Sequence, residues 1–265
     1  MHVIKLKPRE DSRIQNGHLW IFSNEIESNL KDYEPGAVVE IQNAEGHFIG
    51  IGYVNPHSLI SIRLLTAQKE EINYQFFEQR IASARQRRQN YYAHSKSYRV
   101  VYGESDGLPG LVIDQYENYI VLQSLTCGIE KHLNLILEAV KHIFSPIAIV
   151  ARQDSPIRKL EDLEMSKQVL FGTLPEFVTV DIEGMKYKLD LLNGQKTGFF
   201  LDQKENHLLT KSFVKDKKVL DCFSYVGGWA LNAARSGARD ALGLDSSESA
   251  VHLAEETARL NGLTN

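Results

Sequence analysis

The chain has 265 residues, a formal net charge of −4, 43% hydrophobic residues and 24% charged residues. That is the balance of a folded globular chain long enough for two domains and a sizeable core. It argues against nucleic-acid binding by the overall field, so any such contact must come from a local patch. No run of about 18 apolar residues is present, so no transmembrane helix is expected. The start, MHVIKLKPRED, lacks the apolar core of a signal peptide. Cys127 and Cys222 are too few for a disulfide framework or a zinc cluster, and no metal is expected. A reducing, cytoplasmic location follows as the default.

Charge is spread evenly: residues 1–70 carry net −2, residues 71–185 net −3 and residues 186–265 net +1. Residues 1–70 read as a small β domain. Apolar runs at Trp20–Phe22, Ala37–Ile41, Phe48–Val54 and Leu59–Leu65 are separated by the turn signals Pro35-Gly36, Glu45-Gly46 and Asn55-Pro56. Gly50 and Gly52 inside a strand predict a bulge or a tight barrel corner. Closing that sheet would remove its edges.

Residues 71–95 read as a helix, because Ile72, Phe76, Phe77, Ile81 and Ala84 recur at helical spacing. Arg80, Arg87 and Arg88 fall near one face beside Tyr91 and Tyr92. Guanidinium groups next to aromatics can grip phosphates and stack bases; the plain alternative is a solvated helix face. Residues 96–185 read as a central α/β unit. Strands are expected at Val100–Tyr102, Leu111–Asp114, Tyr119–Leu125, Ile147–Arg152 and Phe177–Ile182, with one amphipathic helix over Ile129–Phe144. Glu104, Asp106 and Asp114 lack the spacing of a calcium loop and are read as structural.

In residues 186–265 a helix is expected over 203–214, followed by the most informative stretch, Lys218 to Asp245. Val219 and Leu220 start an apolar strand that ends at Asp221. Phe223, Ser224, Tyr225, Gly227 and Gly228 make a turn. Trp229, Ala230, Ala233 and Ala234 form a helix face, and Ala241–Leu244 is a second strand ending at Asp245. This is one turn of a doubly wound α/β sheet, in which ligands lie over the carboxyl ends of the strands. The dinucleotide pattern G-x-G-x-x-G is absent, and Asp221 would repel phosphates. A carboxylate there suits an ammonium group, such as the amino-acid end of S-adenosylmethionine, while Asp245 suits a ribose diol. The plain alternative is a strand–turn–helix whose glycines serve only the turn. Ser246 or Ser247 is the expected N-cap of a last helix over 246–260.

Several segments resemble one family in order. HLWIFSNEI, PGAVVEI and GHFIGIGYVNPHSLISIR resemble the PUA domain that opens a family of ribosomal-RNA cytosine-5 methyltransferases. VVYGESDGLPGLVIDQYENYIVLQ and ARQDSPIRKLEDL resemble its central domain, and KTGFFLDQ resembles the element that precedes its cofactor sheet. ARLNGL also matches, although Thr257 stands where an asparagine is expected. The resemblance implies an α/β architecture with a PUA-like β barrel over 1–70, a central α/β domain over 71–185, and over 186–265 the first part of a Rossmann-like methyltransferase sheet. It implies S-adenosylmethionine as cofactor, with Phe199 or Phe200 packed near it and Gln203 shaping the pocket. The expected cofactor-binding set is Phe200, Gln203, Asp221, Phe223, Ser224, Tyr225, Gly227, Gly228, Asp245 and Ser246. Ribosomal RNA is the expected partner, met by Arg80, Arg87 and Arg88.

In that family a D/N-P-P motif and a later cysteine carry the chemistry. Neither occurs here, so the resemblance implies a C-terminally truncated chain without its catalytic half, and no catalytic residue is assigned. A sheet lacking its third and fourth strands would expose Leu220, Leu242 and Leu244, which makes self-association an expectation. Two other readings stay open: a non-catalytic RNA-binding fragment, and a nucleotide-binding oxidoreductase, against which Asp221 and the missing glycine pattern argue.

Overall fold

The computed structural model describes residues 2–263 and holds four sheets. The first comprises β1 (His2–Lys5), β2 (Trp20–Phe22), β3 (Ala37–Gln42), β4 (Phe48–Val54) and β5 (Ile60–Thr66), in the order β1-β3-β4-β5-β2. A short helix, α1 (Ser12–Gln15), joins the first two strands. The two outer strands are tied beyond their ends. Lys7 N donates to Glu25 O and Glu27 N to Lys5 O, each at 2.9 Å, so the sheet curls into a near-closed barrel. Its interior is Ile4, Leu6, Ile21, Val39, Ile41, Val54 and Ile62. The expected irregularity in the glycine strand is present, as a register shift between Ile51 and Gly52.

Helix α2 (Tyr74–Tyr91) is shorter than the expected 71–95 and is capped by the Asn73 side chain, which accepts from Phe76 N. The central sheet follows: β6 (Ser97–Tyr102), β7 (Leu111–Tyr116), β8 (Tyr119–Ser124), β9 (Ala148–Gln153) and β10 (Ser166–Gly172), in the order β10-β9-β8-β7-β6. The β8–β9 pair is parallel and the others antiparallel. The parallel pair needs a crossover. The single helix expected there is two, α3 (Cys127–Lys131) and α4 (Leu133–Phe144). The break falls at His132, whose Nδ1 is 2.7 Å from Gly128 O. Its ring competes with the helix ladder for that carbonyl.

The inner strands β7, β8 and β9 of the central sheet are buried on both faces, which explains their continuous apolar runs. Leu111, Ile113, Ile120, Leu122 and Ile149 face α2 and α4. Tyr116, Val121 and Val150 face the antiparallel hairpin of β11 (Val178–Ile182) and β12 (Met185–Leu189). The same core continues into Phe199, Leu201, Val226, Leu231 and Leu253. The expected division between residues 185 and 186 falls inside β12, one strand of a hairpin whose two strands share one core.

The expected helix over 203–214 is broken into α5 (Lys204–Leu209) and α6 (Lys211–Val214). The last sheet is the parallel pair β13 (Lys218–Cys222) and β14 (Asp240–Leu244), with α7 (Gly228–Arg235) between them and α8 (Glu248–Leu260) after them. Helix α8 packs on β12, where Thr257 Oγ1 accepts from Lys188 N at 3.1 Å. The departure at Thr257 thus serves a buried contact to the hairpin. One face of the pair is bare: Leu220 is 58% exposed, Leu242 57% and Leu244 50%. Among the described residues no further strand pairs with either β13 or β14.

The barrel is locked onto the central unit by polar contacts. Arg63 Nη1 lies 2.7 Å from Glu161 Oε1, with side chains 9% and 2% exposed. It is an ion pair without hydrogen-bond alignment. Asn55 Nδ2 donates to the other Glu161 oxygen at 2.8 Å. Tyr53 donates to Pro109 O at 2.7 Å, and its ring lies against Gly128, where a Cβ would come within 2.0 Å of it. Glu161→Ala should leave a buried, uncompensated guanidinium and cost about 3–5 kcal/mol. Urea unfolding followed by Trp20 fluorescence, in a Trp229→Phe background, measures that loss.

Candidate functional site

The turn after β13 is built from conformations that side chains resist. Phe223 has φ 65° and Tyr225 φ 49°, left-handed values that are outliers for bulky residues. Each costs on the order of 1–3 kcal/mol and persists only where its surroundings hold it. Those surroundings are explicit. Ser224 N donates to Leu244 O at 2.9 Å, and Tyr225 N donates to Asp245 Oδ2 at 2.8 Å. Tyr225 OH accepts from Gln195 N and donates to Gly198 O, each at 2.9 Å. The turn is thus gripped by the end of the neighbouring strand on one side and by residues 195–198 on the other.

Residues 195–200 are themselves tied to the central sheet. Asp114, whose side chain is 0% exposed, accepts from Arg99 Nε at 2.8 Å and Nη2 at 2.9 Å. It also accepts from Thr197 Oγ1 at 2.6 Å. With the Thr197 proton spent on Asp114, Tyr116 OH donates to Thr197 Oγ1 at 3.0 Å and accepts from Phe199 N at 3.1 Å. Burial pushes the Tyr116 phenol well above its usual range, so it stays protonated for this role.

A cavity of about 120 Å³ opens under the turn, lined in part by Phe200, Gln203, Phe223, Ser224, Tyr225 and Gly228. Its size suits one end of a ligand, being below the ~300 Å³ at which pockets for whole small molecules begin. Phe223 is 91% exposed and forms the lip. Four of the expected residues stand outside this lining. Asp221 Oδ2 accepts from Ala230 N at 3.0 Å and so caps α7. Asp245 holds Tyr225 N and, at 2.9 Å, Ser247 N. Gly227, at φ 80°, is the left-handed N-cap of α7. Ser246 is exposed, and Ser247 is the N-cap of α8. Among the described residues no cation pairs with Asp221 or Asp245. Burial raises the Asp221 carboxyl above its usual range, with the Asp245 charge adding to it. A cationic group brought to this end of the turn would relieve that cost.

His207 and Trp229, also in the lining, escape a sequence reading. Their rings meet edge-on with centroids 4.7 Å apart. A Cβ on Gly228 would lie 2.7 Å from His207 Cε1, so this glycine serves helix–helix packing. Nothing in the local pattern of α5 marks His207, because its partners are distant in sequence.

Two of the expected arginines of α2, Arg87 and Arg88, are held by one acid. Arg87 Nη2 lies 2.8 Å from Asp106 Oδ1, Arg88 Nη2 donates to Oδ2 at 2.7 Å, and Arg88 Nη1 also contacts Oδ1. Tyr102 N donates to the same carboxylate at 2.7 Å. Arg80 lies 4.9 Å over the Phe76 ring and 3.8 Å from Glu70. The patch is therefore a fan fixed by a buried carboxylate, with Arg87 still 56% exposed. Asp106 is spent on Arg87 and Arg88 and Asp114 on Arg99 and Thr197, while Glu104 accepts from Trp20 Nε1 at 2.7 Å.

Residues 4–67 match the family model of a PUA-like domain, and residues 165–264 match that of S-adenosylmethionine-dependent methyltransferases. Ribosomal RNA large subunit methyltransferase I of Pseudoalteromonas atlantica is 37% identical over 263 residues, 98% of this chain and 67% of that protein. The protein of the same name from Vibrio cholerae is 36% identical over 262 residues, 98% of this chain and 66% of its own length. The chain thus spans about two thirds of the length of these relatives. The crystal structure of SMU.776 complexed with SAH superposes with a TM-score of 0.84 at 20% identity, over 100% of this chain and 68% of that one. It shows a shared fold. Among the described residues no helix is long and apolar enough to cross a membrane.

Burial lowers the His207 pKa to about 4. Its neutral form is the folded form, so its contribution is complete above the unfolded value near 6.5 and is lost as pH falls toward 4. Between pH 7.5 and pH 5 the wild type should lose more stability than His207→Phe, read as the shift in urea midpoint.

Proposed function

This chain belongs to the family of ribosomal RNA large subunit methyltransferase I, and from that premise we propose that it binds S-adenosylmethionine at the turn 223–228 and docks large-subunit ribosomal RNA. The observation that carries the reading is the strained turn: two bulky residues, Phe223 and Tyr225, are held in left-handed conformations at the carboxyl end of a parallel strand, where ligands of such sheets lie. Asp221 would meet the ammonium end of the cofactor. Asp245, at the end of β14, would meet the ribose. Phe200, Gln203 and Phe223 would wall the cavity, and Gly227, Gly228 and Ser246 would border it. When bound, the cofactor supplies the methyl group.

The nucleotide we propose is a cytosine methylated at carbon 5. That carbon is a weak nucleophile, and a thiolate adding to carbon 6 would make it enamine-like before a base removes the carbon-5 proton. Neither cysteine fits that part. Cys127 is buried, and its thiol is pushed up to about 12. Cys222 lies on the bare face of the strand pair. The 265 residues are therefore read as the cofactor-binding and RNA-docking part, acting in the cytoplasm. The bare leucine face favours self-association of this chain alone.

Asp245→Ala should lower S-adenosylmethionine affinity at least tenfold, given about 1.5–3 kcal/mol for charge-assisted hydrogen bonds. Calorimetry measures it, and unchanged affinity removes Asp245 from the site; tighter binding of NADH would instead favour an oxidoreductase. Replacing Arg80, Arg87 and Arg88 should weaken RNA binding and flatten its salt dependence. A wild-type slope would reduce the patch to a solvated face. With tritiated S-adenosylmethionine and ribosomal RNA, this chain alone should incorporate no label. Incorporation would place the nucleophile within it.

A further inference from the structure

A second cavity, of about 470 Å³, lies between the end of α2, strand β6 and residues 196–205. Its volume is within the ~300–1,000 Å³ range of small-molecule sites. Its walls include Arg88, Tyr92, Tyr98, Arg99, Tyr102 and Lys196. We propose that this cavity receives one unstacked nucleotide of single-stranded RNA, beside the cofactor turn. The proposal rests on the RNA reading above and adds to it a defined subsite.

The floor of the cavity is preassembled. Tyr92 and Tyr98 stack with centroids 5.7 Å apart and planes 26° from parallel. The Lys204 ammonium lies 3.6 Å over the Tyr92 ring and is fixed by Glu183 at 2.9 Å. These groups occupy one another and define shape. Tyr102 is different. It is 57% exposed, and the Arg99 guanidinium lies 5.3 Å over its ring. An exposed ring of this kind is a platform on which any base can stack, since every base presents a π-face.

Charge favours a nucleotide over a neutral ligand. Arg99 spends Nε and Nη2 on Asp114, which leaves Nη1 outside that pair. Lys196 meets Asp202 at 3.0 Å, with both side chains about half exposed, at 42% and 56%. Such an exposed pair is weak and can yield its cation to a phosphate. The Lys196 ammonium also lies 4.4 Å over the Phe200 ring, which lines the cofactor cavity. The two cavities thus adjoin across this Lys196–Phe200 contact. On the far side, Asp106 binds Arg88 of this cavity, Arg87 of the neighbouring groove and the backbone of Tyr102. A strand crossing from the arginine fan to the cofactor turn passes over Tyr102.

The test uses the 265-residue chain and a fluorescein-labelled 12-nucleotide single-stranded RNA, read by anisotropy. Tyr102→Ala should weaken binding roughly 5- to 150-fold, the equivalent of one stacked base at about 1–3 kcal/mol. Tyr102→Phe, which keeps the ring, should bind as the wild type does. Lys196→Gln should reduce the salt slope by roughly 0.7, one phosphate contact on a single strand. S-adenosylmethionine affinity and thermal midpoint should be unchanged in Tyr102→Ala, which separates a lost subsite from a lost fold. Wild-type RNA affinity in Tyr102→Ala overturns the subsite and leaves the RNA reading intact. Equal losses in the alanine and phenylalanine variants overturn stacking as its basis. A wild type that binds S-adenosylmethionine but no RNA overturns the subsite and the RNA reading together, and spares the cofactor site.

Discussion

The buried carboxylate of Asp114 is the contact on which the arrangement depends. It lies in a strand covered on both faces, so its charge has no water to turn to. An isolated carboxylate there would be expensive, and three charge-assisted bonds from Arg99 and Thr197 are what make it tolerable. Thr197 in turn orients Tyr116, Tyr116 holds the backbone of Phe199, and the carbonyl of Gly198 receives Tyr225. A chain of hydrogen bonds therefore runs from the middle of the central sheet to the strained turn. The left-handed Tyr225 persists because this chain holds its ring at one end while Asp245 holds its amide at the other.

A second buried carboxylate, Asp106, does for α2 what Asp114 does for residues 195–200. It converts flexible arginines into a fixed fan and joins that fan to strand β6. The cost of holding long side chains is met during folding, before any ligand arrives. That is the physical meaning of preorganisation at a polar site. The barrel adds rigidity from the other side, since Tyr53, Arg63 and Asn55 are all anchored to residues of the central unit.

Much of this was legible in the amino-acid order. Period-two alternation and turn residues located β2 to β5, and the acid-ended strands around the glycine pair located β13, α7 and β14. Strand β10 escapes the pattern because its exposed edge position leaves it with a weak apolar signal, and β1 escapes it because Ile4 is its single buried residue. The break at His132 depends on one ring–carbonyl contact that no periodicity encodes. The turn was recognisable, but the duties of its residues were not. Sequence assigned Asp221 and Gly228 to a ligand, whereas the fold also engages one with the amide of Ala230 and the other with the imidazole of His207. Such contacts join residues far apart in the chain, and spacing within one element cannot reveal them. The arginine cluster was visible, while the aspartate that organises it looked like part of an unrelated glycine-rich loop.

The sharing of Asp114 between Arg99 and Thr197 has a consequence for how this chain can vary through descent. A mutation that removes Arg99 leaves Thr197 bonded to a carboxylate with no countercharge, and one that removes Asp114 leaves both partners idle. Effects at the three positions cannot add, because each substitution changes what the others are worth. The trio should therefore be inherited as a single character. Lineages that keep the acid should keep both donors, and those that lose it should replace all three with groups that satisfy one another. A pairwise comparison of distant relatives would see these positions change together or not at all, although residue 99 lies in strand β6, residue 197 lies in a loop, and the two are nearly a hundred positions apart.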